Sequence, residues 1–198
     1  MEGGLEVKSN EVIKNWIVYG IDGSFKASKY PMSVNIDSLN CEYTGTIEKL
    51  GRSRKGEGHD NFLCGIVVQF DLTFTVKAWT EAERYHFLDI VSSQSTMHRI
   101  TKFDLNKAYI GYVDERIIDI IKEKVAEYNA MDKCEEKKEK YLEILYSNPC
   151  GMKLTARMTT NYRQLKTIYA QRRTHRLPEW RAFCEWVETL PYANLIIS

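Results

Sequence analysis

The chain has 198 residues with 28 basic and 27 acidic side chains, a formal net charge of +1. That length supports a single domain over residues 1–198 with a sizeable core, and near-neutrality excludes bulk electrostatic adhesion to nucleic acid, so charged chemistry has to be local. Five cysteines, Cys41, Cys64, Cys134, Cys150 and Cys184, form no C-x-x-C pair and no apolar run is long enough to span a bilayer. A cytoplasmic protein with free thiols is expected, without a disulfide framework, zinc site, membrane span or signal peptide.

In chain order, residues 1–10 are polar and read as a loose end. A short strand is expected over Trp16–Gly20, then a turn at Asp22-Gly23 and a break at Tyr30-Pro31. Lys49–Asp60 holds Gly51-Arg52-Ser53-Arg54-Lys55-Gly56-Glu57-Gly58, which lacks the glycine spacing and the Lys-Ser/Thr pair of a P-loop and reads as a mobile surface loop. From Phe62 to Lys77 the alternation of Phe70, Leu72, Phe74 and Val76 with polar residues predicts a half-buried strand. Thr80-Glu81-Ala82-Glu83 has the form of a capping box, so a helix is expected from Thr80 through Tyr85, Phe87, Leu88 and Val91 toward His98-Arg99.

A long helical stretch is predicted from Asp114 to Tyr146, packed through Ile117, Ile118, Ile121, Val125 and Tyr128, with a solvated segment or a break over Lys133–Lys140. Ser147-Asn148-Pro149-Cys150-Gly151 ends it. The stretch Thr159–Arg173 reads as a helix with Leu165, Ile168 and Tyr169 on a buried stripe and Asn161, Arg163 and Arg172 as fixed donors. From Gly151 to Arg176 the charges are Lys153, Arg157, Arg163, Lys166, Arg172, Arg173 and Arg176, with no Asp or Glu among them. A local field of one sign suits an anionic ligand, and arginine adds a planar fork that grips phosphate or carbonyl oxygens. Pro178 opens a last helix whose Trp180, Phe183, Cys184, Trp186 and Val187 face a core or a subunit contact before Pro191 ends it.

Thr160-Asn161-Tyr162-Arg163-Gln164-Leu165, with Arg172 nine residues after Arg163, resembles the C-terminal N-x-R-x-L signature of the flavin-dependent thymidylate synthases, the ThyX family. Upstream, Met97-His98-Arg99-Ile100-Thr101-Lys102 resembles its R-H-R-x-x-S motif, with Met97 and Lys102 in place of the first Arg and the Ser. His59-Asp60-Asn61-Phe62 stands where the family has a His before the same strand. The resemblance covers about residues 59–191 and leaves 1–50 unassigned.

It implies an α+β fold, an antiparallel-type sheet packed with several helices, and a homotetramer whose sites form between subunits. It also implies FAD held by Asn161, Arg163, His98, Arg99 and Asn61, a pyrimidine nucleotide held and polarised by Arg172, and His59 as a folate contact. NADPH and methylenetetrahydrofolate follow as co-substrates of C5 methylation, or a related alkylation, of dUMP or another pyrimidine nucleotide. The flavin would carry the redox chemistry, in accord with the absence of a recognisable nucleophile motif. Met97 and Lys102 favour a second expectation, a non-catalytic nucleotide-binding or sequestering protein on the same fold.

Overall fold

The computed structural model describes residues 7–54 and 56–197. The loose end expected over 1–10 lies outside the described residues as far as residue 6, as does Lys55 of the basic loop. A single turn, α1 (Ser9–Val12), leads into β1 (Ile13–Tyr19), which begins three residues before the expected strand. The turn expected at Asp22-Gly23 is instead the start of a helix, α2 (Ile21–Ser28), which buries Phe25. The reversal falls two residues earlier, at Gly20, where φ is 79° and an added Cβ would meet the Gly65 carbonyl oxygen at 2.3 Å. Helix α3 (Gly45–Gly51) takes the first residues of the basic segment and is capped by Thr44.

The central strand β2 (Val67–Thr75) follows the predicted alternation, with Val68, Phe70, Leu72 and Phe74 fully buried. It stops earlier than expected because Thr75 caps the next helix, α4 (Val76–Ala82), accepting from the Ala78 amide at 3.2 Å. The capping box at Thr80 is therefore not formed: Thr80 lies inside α4 and its hydroxyl donates to the Lys77 carbonyl. The helix predicted to run on to Arg99 is replaced by an exposed edge strand, β3 (Asp89–Ser93), and one short helix, α5 (Thr96–Arg99). β-branched Ile90 and Val91 suit a strand, and pairing with a strand far later in the chain overrides the helical spacing.

The long helical stretch is two helices, α6 (Glu115–Ala130) and α7 (Glu135–Ser147), broken at Met131–Cys134, whose Met131 carbonyl accepts from Lys137 Nζ at 2.6 Å. Ile118, Ile121, Val125 and Tyr128 pack as expected, whereas Ile117 is exposed. Strand β4 (Lys153–Asn161) then enters the sheet, and α8 (Tyr162–Arg172) starts three residues later than the sequence suggests, Thr159 and Thr160 being strand. Helix α9 (Pro178–Glu188) opens at Pro178.

Among the described residues the sheet is four-stranded and antiparallel in the order β1-β2-β4-β3. One face packs on α8 and α9, with Phe70 4.7 Å from Trp186 and Phe74 4.7 Å from Trp180 between ring centroids. Trp180, Trp186 and Phe183 thus belong to the core. Each such side chain taken wholly from water contributes about 1.5–3 kcal/mol. The other face carries cross-strand polar pairs, Thr73 with Thr155 and Asp71 with Arg157. A smaller cluster joins α6, α7 and Met152. The fold is α+β, as expected, and among the described residues no helix is long and apolar enough to cross a membrane.

Candidate functional site

Helix α8 has two chemically different faces, and the outer one builds the site. Asn161 ends β4 in an extended conformation and its Oδ1 accepts from the Gln164 amide at 2.9 Å, so the strand passes directly into the helix through an Asn N-cap. Tyr162, Leu165, Ile168, Tyr169 and Arg172 then face the core. Arg163, Lys166, Thr167, Ala170 and Gln171 fall on the opposite side at helical spacing and line a cleft of about 750 Å³. Its far wall is the 52–54 turn, Asp60 and Cys64, and Phe87 stands at its edge, 56% exposed.

Asp60 is the hub. Its carboxylate is buried, with Oδ1 accepting from Arg163 Nε at 3.1 Å and Oδ2 from Lys166 Nζ at 3.0 Å. Lys166 also donates to the Gly51 and Ser53 carbonyls at 2.7 and 2.6 Å, so its three N–H groups meet three acceptors. The ammonium is therefore structural, and the base of the glycine-basic loop, expected to be mobile, is pinned to α8. Arg163 gives only Nε to the fold; its side chain is 40% exposed and its Nη groups have no partner among the described residues.

The amides follow the same rule. Asn161 Oδ1 is taken by the helix cap, which leaves the Nδ2 donors to the cleft. Gln171 Oε1 accepts from the Tyr85 hydroxyl at 3.0 Å, which leaves Nε2. Asn161, Arg163 and Gln171 thus present N–H groups, while the carboxylate of the cleft is already neutralised. A cleft of donors beside an exposed Phe ring suits a planar ligand rich in carbonyl or phosphate oxygens.

Arg172 sits elsewhere. Its side chain is 6% exposed, and its guanidinium donates from Nε to the Tyr85 hydroxyl at 2.6 Å and from Nη1 to Glu81 Oε2 at 2.8 Å. It lies 4.9 Å over the Trp180 ring, an enclosed cation–π contact. Arg172 does not line the cleft, so the expected direct hold on a pyrimidine meets a group already enclosed by the fold. His175 Nε2 is 3.0 Å from Glu81 Oε2, and its Nδ1 accepts from the Leu177 amide, which fixes the neutral Nε2–H tautomer. Burial and the adjacent Arg172 lower the His175 pKa. Burial would raise the Glu81 carboxyl, but Lys77, His175 and Arg172 together outweigh it and hold it below the usual carboxylate range.

The remaining candidates separate in space. His59 and Asn61 are exposed and flank Asp60 in the chain without lining the cleft. His98 and Arg99 lie on α5 in a second cleft of about 990 Å³ with Lys102 and Lys133. This second cleft shares no residue with the first. Met97, in the place of the family arginine, lies there too and is 60% exposed. Sequence reasoning missed Phe87 and Gln171. Helical spacing counts Phe87 among the apolar positions of a helix, whereas the chain turns there, and nothing in the sequence marks Gln171 except its helical register with Arg163.

No protein-family model and no curated protein matches the sequence. Solved structures are similar. The flavin-dependent thymidylate synthase ThyX from Helicobacter pylori, complexed with FAD and dUMP, is 14% identical with a TM-score of 0.68, over 94% of this chain and 96% of that one. A second structure of that enzyme with FAD and dUMP also gives a TM-score of 0.68 at 14% identity, over 94% and 95%. The UMP/dUMP methylase PolB from Streptomyces cacaoi, bound with 5-Br dUMP, is 15% identical with a TM-score of 0.61, over 93% and 91%. With the sheet, the strand-to-helix passage at Asn161 and the donor cleft already in place, these likenesses show that the chain has the fold of the flavin-dependent thymidylate synthases.

Proposed function

We propose that the chain is a pyrimidine-nucleotide enzyme of the flavin-dependent thymidylate synthase type, methylating or otherwise alkylating C5 of dUMP or a related nucleotide. The observation that carries this is the α8 cleft, where Asn161 and Arg163 present donors in a fold shared with proteins solved with FAD and dUMP. The donor set fits a flavin nucleotide: Arg163 Nη groups for phosphate or carbonyl oxygens, the Asn161 amide for an acceptor edge, and Phe87 for a ring face. Bound FAD would supply the hydride, with NADPH and methylenetetrahydrofolate as co-substrates. Asp60 fixes Arg163 by its Nε and so sets the direction of the free fork. His59 and Asn61, exposed beside Asp60 but outside the cleft, enter this proposal as contacts with parts of the folate and flavin that extend beyond it.

His98 and Arg99 belong to the same proposal only through assembly. They occupy a different cleft from Asn161 and Arg163, so a homotetramer would bring the α5 of one copy to the α8 cleft of another. Free thiols, four of the five exposed, fit a reducing cytoplasm. The exposed Met97 in place of a guanidinium favours one alternative, a nucleotide-binding protein on this fold without catalysis.

The visible absorption spectrum of the purified protein, before and after FAD loading, tests the choice. A retained flavin band that bleaches with NADPH in the presence of dUMP is the expected result. A colourless protein that takes up no FAD but is thermally stabilised by dUMP favours the alternative. Failure to respond to either ligand removes both.

A further inference from the structure

Arginine only donates hydrogen bonds. Because Arg172 Nε reaches the Tyr85 hydroxyl at 2.6 Å, that oxygen must accept, and its own proton is left for another partner. The group in reach is Gln171, with Oε1 at 3.0 Å, so the phenol proton selects the amide oxygen and turns the Nε2 donors away from Tyr85. Gln171 lines the α8 cleft, and its Nε2 has no partner among the described residues. Arg172 is in turn held by Glu81, beneath Trp180. Donation thus runs as a one-way relay from Arg172 through the Tyr85 hydroxyl to Gln171 at the cleft, with Glu81 anchoring Arg172 as an acceptor.

We infer that Gln171 is a specificity-determining residue, donating its oriented amide to a carbonyl oxygen of the heterocycle bound in the α8 cleft. Tyr85 and Arg172 act as positioning residues for it. The inference rests on the α8 cleft being the ligand site. Carbonyl oxygens are offered both by a uracil base and by an isoalloxazine ring, and the relay selects either against an analogue bearing an amino group at that point. A donor can meet a carbonyl but faces another donor in an amino group, and once the bound heterocycle shields the exposed Gln171 amide from water this mismatch discriminates. The same relay accounts for a buried arginine so close to the cleft without requiring it to touch the ligand.

The test uses Gln171→Met, which keeps length and removes the donor without adding charge, in the full chain. Isothermal titration measures dUMP against dCMP, whose amino group replaces a carbonyl, and FAD against ADP, which lacks the isoalloxazine ring. The melting temperature should hold, while one preference, dUMP over dCMP or FAD over ADP, falls about tenfold, identifying the heterocycle Gln171 meets. Tyr85→Phe, which frees the amide to turn over, lowers the same preference in part although Gln171 is retained. If Gln171→Met leaves both preferences unchanged, or weakens all four ligands equally, the inference is overturned. Arg163→Ala is the control for the premise: should it leave dUMP and FAD binding unaltered, the α8 cleft assignment falls together with the inference. If Arg163→Ala weakens binding and Gln171→Met does not discriminate, the inference alone falls.

Discussion

The two faces of α8 carry the same residue type to opposite ends. Arg172, on the inner face, is enclosed by Glu81, Tyr85 and Trp180, and every direction of its guanidinium is fixed by the core. Arg163, on the outer face nine residues earlier, gives one nitrogen to Asp60 and keeps its fork for the cleft. Nine residues at 100° each amount to two and a half turns, which puts the two side chains on opposite sides of the helix. Both look alike in a basic stretch without acids, because the acids that pair with them come from Asp60 and Glu81, far away in sequence. A run of one charge sign in sequence is therefore no measure of the free charge in the fold.

The largest effect that would sharpen this contrast is loss of the inner arginine. Arg172→Ala leaves Glu81 and the Tyr85 hydroxyl without their partner and opens a space under Trp180, and it should destabilise the protein by about 3 kcal/mol. A chemical denaturation midpoint unchanged from wild type would break the contrast. Asp60→Asn comes next: it keeps the shape but removes the negative charge between two cations and loosens the Gly51–Ser53 carbonyl clamp, at about 2 kcal/mol. A drop in FAD affinity should accompany it, since the Arg163 fork loses its direction; an unaltered affinity would separate the hub from the ligand. Asn161→Ala removes the helix cap at about 1 kcal/mol and a cleft donor at the same time. Urea unfolding and FAD titration should both register it.

The smallest effect is set by pH. The His175 pKa is below its usual 6.5 in the folded protein, so as pH falls through that value the unfolded chain takes up a proton that the native tautomer resists. The His175 contribution is then whole above about pH 7 and declines below it. Glu81 acts in the same direction but lower, its contribution present above the unfolded value of 4.5 and lost as pH falls through the depressed folded one. Melting temperature should decline on acidification from neutrality, and His175→Gln should flatten the upper part of that profile. A profile of the variant superimposable on wild type would contradict the His175 assignment.

Much of the framework was legible in the sequence for physical reasons. The alternation through Phe70, Leu72 and Phe74 marks a strand with one buried face, the stripe of Leu165, Ile168 and Tyr169 marks the inner side of α8, and Pro178 marks the start of α9. What was illegible depended on distant partners. Asp89–Ser93 became a strand because β4 supplies its ladder, and Thr75 displaced Thr80 as a cap because the sheet ends there. The site shows the same division. Asn161 and Arg163 follow from local pattern and do share one cleft, whereas the enclosure of Arg172 needed Glu81 and Tyr85, and Gln171 acquired its direction only through them. His98 and Arg99 kept their helix-end setting but lie in a cleft of their own, which no spacing along the chain records.

The most direct test of the contrast between the two faces is FAD binding to Arg163→Ala, followed by quenching of flavin fluorescence alongside a thermal melt. An affinity lowered about tenfold or more, with only a modest drop in melting temperature, is the predicted result. The exposed fork at Arg163 is free for a ligand, while the fold loses only the Nε bond to Asp60, which Lys166 still pairs. Wild-type affinity in that variant would contradict the outer face of α8 as the ligand site.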